Sequence, residues 1–356
     1  MKAFALAHPN IALVKYWGKR DFAYNLPGAG SLSLTLGGLS TRTCVEFDAA
    51  LDADSLQLDG KAVESGGKLK RVSQFLDLVR ERAGISQHAR VISENDFPTG
   101  AGLASSASGF AALALAATTA AGLELSATEL SILARRGSGS AARSLFGGYV
   151  EMNDGVYAIG EDGTKVATRS AEEASKAAYA RQIAPAAHWD LRCVIAVTSA
   201  GEKDIGSTEG MVSTQNTSPY YEQWIASVPG DIERAAAAVA ARDFAALAEV
   251  AEASCLRMHA SAMGADPGII YWNATTVALI HAVRKARAGG LPVFFTIDAG
   301  PQVKVFCPAE ALDECRALLA GTQGVRQILE AHPGEGARLC GDFVSDAAAA
   351  KDVAGD

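Results

Sequence analysis

Histidine and cysteine are scarce in this 356-residue chain, six of each, and no two of them stand at metal-ligand spacing. Cys44, Cys193, Cys255, Cys307, Cys315 and Cys340 contain no CxxC pair. That argues against a zinc ribbon or a dithiol redox motif and reads as reduced, structural thiols of a cytoplasmic protein. His259 and His281 fall in alanine-rich helical stretches and read as structural. An excess of basic charge is also missing: 32 Lys+Arg stand against 40 Asp+Glu, a net charge of −8. The pI is about 5.4. A general nucleic-acid or anionic-membrane surface is disfavoured, so any phosphate site must be a local basic pocket in an acidic shell. Long hydrophobic runs are absent. The most apolar stretch, Phe110 to Ala121, is mostly alanine with Thr118 and Thr119, too short and too weakly apolar to span a bilayer. The opening Met1 to Pro9 is broken too early to read as a signal peptide.

What is present is globular: 49% hydrophobic and 20% charged residues. The length favours two domains, with a junction in the polar, alanine-rich stretch from Glu161 to Trp189. The alternation of apolar runs predicts an α+β chain. Strands are expected within 3–16 and 31–47, at 91–94, 146–152, 192–197, 293–297, 303–306 and near 325–329. Leu69, Val72, Phe75, Leu76 and Val79 recur at helical spacing over 68–82. Further helices are expected at 103–121, 126–136 (with Ser126 or Thr128 near the N-cap and Glu129 in the first turn), 219–228, 231–241, 243–260, 271–288 and 309–319. The tail after Asp346 has little to bury.

Three motifs combine small residues, hydroxyls and cations. The first is Asn10 to Asp21, where Lys15 and Lys19 flank Tyr16 and Trp17. The second, Pro98 to Ala107, is no Walker loop, since no Gly-Lys-Ser/Thr follows its glycines. It does run into a helix, whose free N–H groups and partial positive charge suit an anion. The third is Gly137-Ser138-Gly139-Ser140 with Arg143, whose guanidinium can grip a phosphate with two parallel bonds. Asp298 stands between five apolar residues and the Ala299-Gly300-Pro301 turn, where it is either a turn cap or a carboxylate that handles a proton. Together these pieces suggest an enzyme that moves a phosphoryl group.

The same residues resemble the diphosphomevalonate decarboxylase family of the GHMP kinase superfamily. The matching text is Asn10-Ile11-Ala12, Lys15-Tyr16-Trp17-Gly18-Lys19-Arg20-Asp21, Ser31 to Thr35, Phe97 to Thr99 and Gly102 to Gly109. It continues with Ala134-Arg135, Gly137 to Ala141, Arg143 to Tyr149, Ser207-Thr208, Gly210-Met211 and Phe295 to Pro301. The resemblance implies a two-domain GHMP kinase fold. Residues 1–187 would form an N-terminal ribosomal-protein-S5-like domain and 188–356 a C-terminal ferredoxin-like domain, with the active site between them. It implies ATP-dependent decarboxylation of mevalonate 5-diphosphate in isoprenoid biosynthesis, with ATP as co-substrate and Mg²⁺. Asp298 would orient or deprotonate the 3-hydroxyl, and Lys15 would neutralise the reacting centre. Tyr16, Lys19, Ser138, Gly139, Ser140, Arg143 and Arg192 would hold the substrate diphosphate. Gly100, Ala101, Gly102, Leu103, Ala104, Ser105 and Ser106 would hold the ATP phosphates, with Mg²⁺ near Ser105 or Ser106. The partners implied are a small-molecule substrate and a second copy in a homodimer. Gly28-Ala29-Gly30 and Met258 to Gly264 depart from the family pattern, and the second segment receives no role. The open alternatives are a monophosphate substrate, a mevalonate kinase-type reaction without decarboxylation, and a non-catalytic ligand sensor of the same fold.

Overall fold

The computed structural model describes residues 1–97, 105–160, 163–199, 201 and 204–342. Its α+β architecture rests on two sheets. The first runs Arg338–Leu339, Lys2–Ala7, Thr41–Asp48, His88–Asn95, Ser55–Leu58, Lys61–Ala62. It is antiparallel except where Ser55–Leu58 lies parallel to His88–Asn95. Helices Gly67–Ala83, Ser105–Ala120 and Ala127–Gly137 supply the other side of its core. Phe75, Leu76 and Val79 of the first helix meet Phe110, Ala111 and Ala114 of the second. Ser126 caps the third in a reciprocal capping box with Glu129, as the sequence predicts.

The second sheet has eight strands. Its path runs Ala180–Ala184, Tyr149–Met152, Ser31–Gly37, Gln327–Pro333, Leu191–Val197, Val303–Pro308, Phe294–Ile297, and Asn10–Val14 joins it by pairing with Ser31–Gly37. It crosses the expected junction, because Gln327–Pro333 pairs with Leu191–Val197 on one side and with Ser31–Gly37 on the other. Leu191–Val197 is apolar from Cys193 onward because both of its faces are covered there. Cys193 and Ile195 share a core with helices Tyr221–Ala241 and Phe244–Met263. Val194 and Ala196 share another with Ala274–Ala288 and Leu312–Ala320. The strand's two-residue period decides which side chain goes where.

Most of the expected elements are present, and several places differ, among them short strands such as Ser55–Leu58 and Ala180–Ala184 that were not expected. Pro229 does not end a helix: Tyr221–Ala241 runs through it. Trp224, Val228, Ala235 and Ala238 are buried along that helix on both sides of the proline, and this packing outweighs one missing N–H. Buried Asp231 accepts from Arg257 at 2.9 Å and fixes the same stretch to the next helix. Short helices Ala171–Ala177 and Ser207–Thr217 also occupy stretches where none was expected. Ser170 caps the first by accepting from Glu173 N at 3.1 Å.

One buried arginine fastens the segment carrying Lys19. Arg135 is fully enclosed. It donates to Ala178 O at 2.9 Å, to Ser175 O at 3.0 Å and to Tyr24 O. Its own carbonyl accepts from Asn25 Nδ2 at 2.5 Å. Arg135→Leu strands those carbonyls without a donor, at about 1–3 kcal/mol for each buried unsatisfied group. The expected result is a large fall in the urea midpoint with the m-value unchanged. Arg135→Lys recovers only part of it, because one ammonium lacks the planar spread of a guanidinium.

Candidate active site

The polar cleft of about 520 Å³ is lined by all three phosphate-type motifs and by the Asp298 turn. Lys15 follows the buried strand Asn10–Val14, and Asp298 follows Phe294–Ile297. Lys15 Nζ donates to Asp298 Oδ1 at 2.7 Å. The lysine side chain is 2% exposed and the aspartate 27%, so the carboxylate is the member of the pair that faces the cleft. Burial would push the Asp298 carboxyl up. The charges of Lys15, Lys304 and Arg143 overcome that and hold it below the usual carboxylate range. Asp298 is therefore ionised at neutral pH.

One helix sets both halves of the pair. Along Phe244–Met263, Ser254 Oγ accepts from Lys15 N at 3.0 Å. Cys255 Sγ accepts from Ile297 N at 3.2 Å, and His259 Nε2 lies 3.2 Å from Ile297 O, to which it must donate. Positions 255 and 259 are one turn apart and share a face. His259 is neutral: burial, with Lys15 close by, pushes its pKa down to about 3. Its ring packs 4.8 Å from that of Trp272. His259 is structural, as expected, yet it acts directly beneath the catalytic candidate.

The Gly-Ser-Gly-Ser motif and Arg143 line the same cleft. Arg143, 2% exposed, donates from Nη1 to Ser31 Oγ at 2.7 Å and from Nε to Asn10 Oδ1 at 3.2 Å. Asn10 Nδ2 in turn donates to Ser140 O at 3.0 Å and to Ser144 Oγ at 2.7 Å. The guanidinium lies 5.7 Å from the Tyr16 ring centroid. The Tyr16 hydroxyl is buried and has no hydrogen-bond partner among the described residues. It comes so near Gly139 that a Cβ there would run into it, so this glycine is a packing requirement. Ser138 Oγ and Ser140 Oγ stand 3.4 Å apart. Lys19 enters from the short strand Lys19–Asp21, just after Gly18, whose φ of +88° suits glycine.

Tyr16, Lys19, Ser138, Gly139, Ser140 and Arg143 thus share one wall region with Lys15, Asp298, Ser105 and Ser106. Arg192 does not join them. It donates to Asp190 Oδ2 at 2.7 Å, opposite Cys307 in the strand register. The Asp298 turn meets the far end of that strand, where Thr198 N donates to Gln302 Oε1. Gly100, Ala101, Gly102, Leu103 and Ala104 lie outside the described residues. The cleft also recruits residues that the motifs did not name. Lys68 and Arg71 line it from helix Gly67–Ala83, and Gly206, Ser207 and Thr208 from the start of Ser207–Thr217. Arg71 donates from Nη2 to Gly137 O at 2.8 Å. The available signal was the pair of cations three apart beside the apolar stripe of that helix.

Among the described lining residues the charged side chains are Lys15, Lys19, Lys68, Arg71 and Arg143 against the single acid Asp298. That composition suits a polyanion carrying one group that needs a carboxylate partner. Comparison with known proteins agrees. The family model described as "Diphosphomevalonate decarboxylase-like N-terminal domain" matches residues 7–165, and that of the "Mevalonate 5-diphosphate decarboxylase C-terminal domain" matches 193–342. The chain belongs to the diphosphomevalonate decarboxylase family. It is 37% identical over 341 residues to the diphosphomevalonate decarboxylase mvd1 of Aspergillus fumigatus, covering 90% of this chain and 79% of that one. A solved structure of MDDEF in complex with MVAPP, AMPPCP and magnesium is 41% identical, covers 96% of this chain and 99% of its own, and superposes with a TM-score of 0.85. The mevalonate diphosphate decarboxylase of Staphylococcus aureus is 36% identical, with coverage of 96% and 98% and a TM-score of 0.85. These neighbours carry the GHMP kinase fold expected from the sequence.

Lys19 gives the site a pH signature. Burial first, then the charge of Arg71, brings its pKa down to about 8. Below that value it is a cation; above it the charge is lost and the pull on an anion weakens. Titration calorimetry with inorganic diphosphate should show affinity falling between pH 7 and pH 9. Lys19→Met should be weaker at pH 7 and lack that fall. Equal pH dependence in the two proteins would remove Lys19 from the anion site.

Proposed function

We propose that this cleft phosphorylates the tertiary 3-hydroxyl of mevalonate 5-diphosphate with ATP and then releases phosphate and CO2, leaving isopentenyl diphosphate and ADP. The chain is an ATP-dependent diphosphomevalonate decarboxylase of the mevalonate pathway. The observation that carries this reading is the 2.7 Å contact of Lys15 with Asp298, its carboxylate facing a basic cleft. A bound ATP analogue and MVAPP in a family member support it.

Asp298, charged and held by Lys15, accepts a hydrogen bond from the 3-hydroxyl and takes its proton as the oxygen bonds to the γ-phosphorus and ADP departs. A tertiary alcohol leaves poorly, whereas its phosphate ester leaves well. The C3–O bond then breaks, positive charge builds at C3, and the adjacent carboxylate releases CO2 as its C–C electron pair forms the double bond. Arg143, Lys19, Tyr16, Ser138, Gly139 and Ser140 hold the diphosphate end. Lys15 counters the charge at the reacting centre, the positioning and neutralisation that phosphoryl transfer mainly requires.

Among the described residues no group of three or more His, Cys, Asp or Glu could hold a metal. That fits Mg²⁺, which keeps waters and phosphate oxygens and needs few protein ligands. Ser105 and Ser106, both on the cleft wall, would be among the hydroxyls that hold it, and it would neutralise the ATP phosphates. No helix among the described residues is long and apolar enough to cross a membrane. Family resemblance supports a cytoplasmic homodimer. The separate family models for 7–165 and 193–342 support the division into domains 1–187 and 188–356.

Incubation with Mg²⁺-ATP and mevalonate 5-diphosphate should yield CO2, ADP and phosphate in equal amounts. ADP without CO2 would make the chain a kinase, and preference for the monophosphate would change the substrate. Asp298→Asn keeps the side-chain shape and removes the base. It should fold, bind both substrates and lose about 10²–10⁴-fold in kcat, the usual worth of a general base. Near-normal kcat with a lowered Tm would return Asp298 to the role of a turn cap. Arg143→Ala should chiefly raise KM for the diphosphate substrate and also lower Tm, since Asn10 and Ser31 lose a buried donor.

A further inference from the structure

Asp298 faces a second buried lysine. Lys304 stands on Val303–Pro308, opposite Thr296 of the strand that leads into Asp298. Its side chain is 3% exposed, and its Nζ lies 4.0 Å from Asp298 Oδ2, while Lys15 donates to Oδ1. Nζ also approaches Gln302 O at 3.4 Å. Gln302 fixes the far side of the turn, donating from Nε2 to Ser199 O at 2.7 Å and accepting from Thr198 N at 2.5 Å. An ammonium in so enclosed a place costs several kcal/mol of lost hydration unless it is compensated. A hydrophobic residue would fill a sheet interior more cheaply, and the acidic group within reach is the carboxylate of the reaction.

We propose that Lys304 is a positioning residue for the decarboxylation, holding the second carboxylate oxygen of Asp298 so that the group stays ionised and its plane stays fixed toward the substrate hydroxyl. This rests on the function proposed above. Lys15 and Lys304 clasp the carboxylate from two strands, one on each oxygen. Lys15 comes from the substrate side and Lys304 from inside the sheet, so Lys304 acts on the substrate only through Asp298. The other charged or titratable groups around Asp298 are Arg143 from the Ala141–Ser144 helix, His259 and Cys255 from Phe244–Met263, and Cys193 from Leu191–Val197. Burial keeps His259 neutral and the two thiols protonated at working pH. The acid limb of the kcat profile therefore reports Asp298 under the charges of Lys15, Lys304 and Arg143, with burial drawing the Lys304 pKa down.

Removing one cation must let the Asp298 carboxyl titrate at higher pH, because the charge of Lys304 helps hold it down. Lys304→Met keeps the length of the side chain without its charge. It should lower kcat about 10- to 100-fold, the scale of a slightly misplaced catalytic group. KM for both substrates should stay within about twofold, and the acid limb should move toward neutrality. Lys304→Arg should keep the limb where it is while kcat falls. In an Asp298→Asn background Lys304→Met should cost less than about twofold more, since its route of action is gone. An unmoved acid limb in Lys304→Met, or an equal loss in the Asp298→Asn background, overturns the proposal. Should Lys304→Met fail to fold, Lys304→Arg decides: a fixed limb with lowered kcat supports it, and a shifted limb overturns it. Failure of the wild-type protein to release CO2 would instead overturn the function on which the proposal rests.

Discussion

A partly buried ion pair between residues 283 apart in sequence is the constraint around which the molecule is arranged. Lys15 and Asp298 have little value apart. Either charge alone in that setting would lack compensation, and the pair forms only when both strand ends arrive within hydrogen-bonding distance. Helix Phe244–Met263 meets that requirement by holding backbone atoms, the amide of Lys15 through Ser254 and the Ile297 peptide groups through Cys255 and His259. Backbone anchoring fixes where the side chains begin and leaves the carboxylate itself available to a ligand. The aromatic packing of Trp272 on His259 and of Tyr271 on Trp17 keeps the same helix seated against the strand that ends at Lys15.

The electrostatic layout is an inversion. A chain of net charge −8 collects Lys15, Lys19, Lys68, Arg71 and Arg143 around one cleft. Low-dielectric walls make such a cluster act strongly over a short range and weakly outside it. The burial that raises affinity for a polyanion also brings the Lys19 pKa down to about 8, so the cluster operates near the limit of how many cations can be desolvated together. Lys15 and Arg143 occupy the most enclosed of these positions, at 1% and 2% exposure.

Much of this was legible in the sequence because the motifs consist of residues whose chemistry does not depend on distant context. Glycine next to serine, lysine within an apolar run and aspartate before Gly-Pro each narrow the possibilities. They identified Lys15, Asp298 and the 138–143 loop, which the fold brings to one cleft. Arg192 shows the limit: a basic residue at a strand start has two ends of the sheet to choose between, and its neighbours do not say which one faces the cleft. Ser254 and Cys255 carry no local signature at all, since a small polar side chain on an alanine-rich helix looks the same whether it touches a catalytic strand or only packs. Pro229 was misleading for the opposite reason, as a strong local rule gave way to tertiary burial.

The last described strands return to the first. Gln327–Pro333 completes the sheet beside Ser31–Gly37, Arg338–Leu339 pairs with Lys2–Ala7, and Cys340 N donates to Phe4 O at 3.0 Å. During synthesis, therefore, strand Ser31–Gly37 must wait with an open edge until residues 327–333 have emerged. Such late, long-range closure slows folding and exposes an unpaired strand to other chains in the meantime. It also ties segments about 300 residues apart into shared sheets, so the architecture around the cleft is completed only after those distant strands have paired.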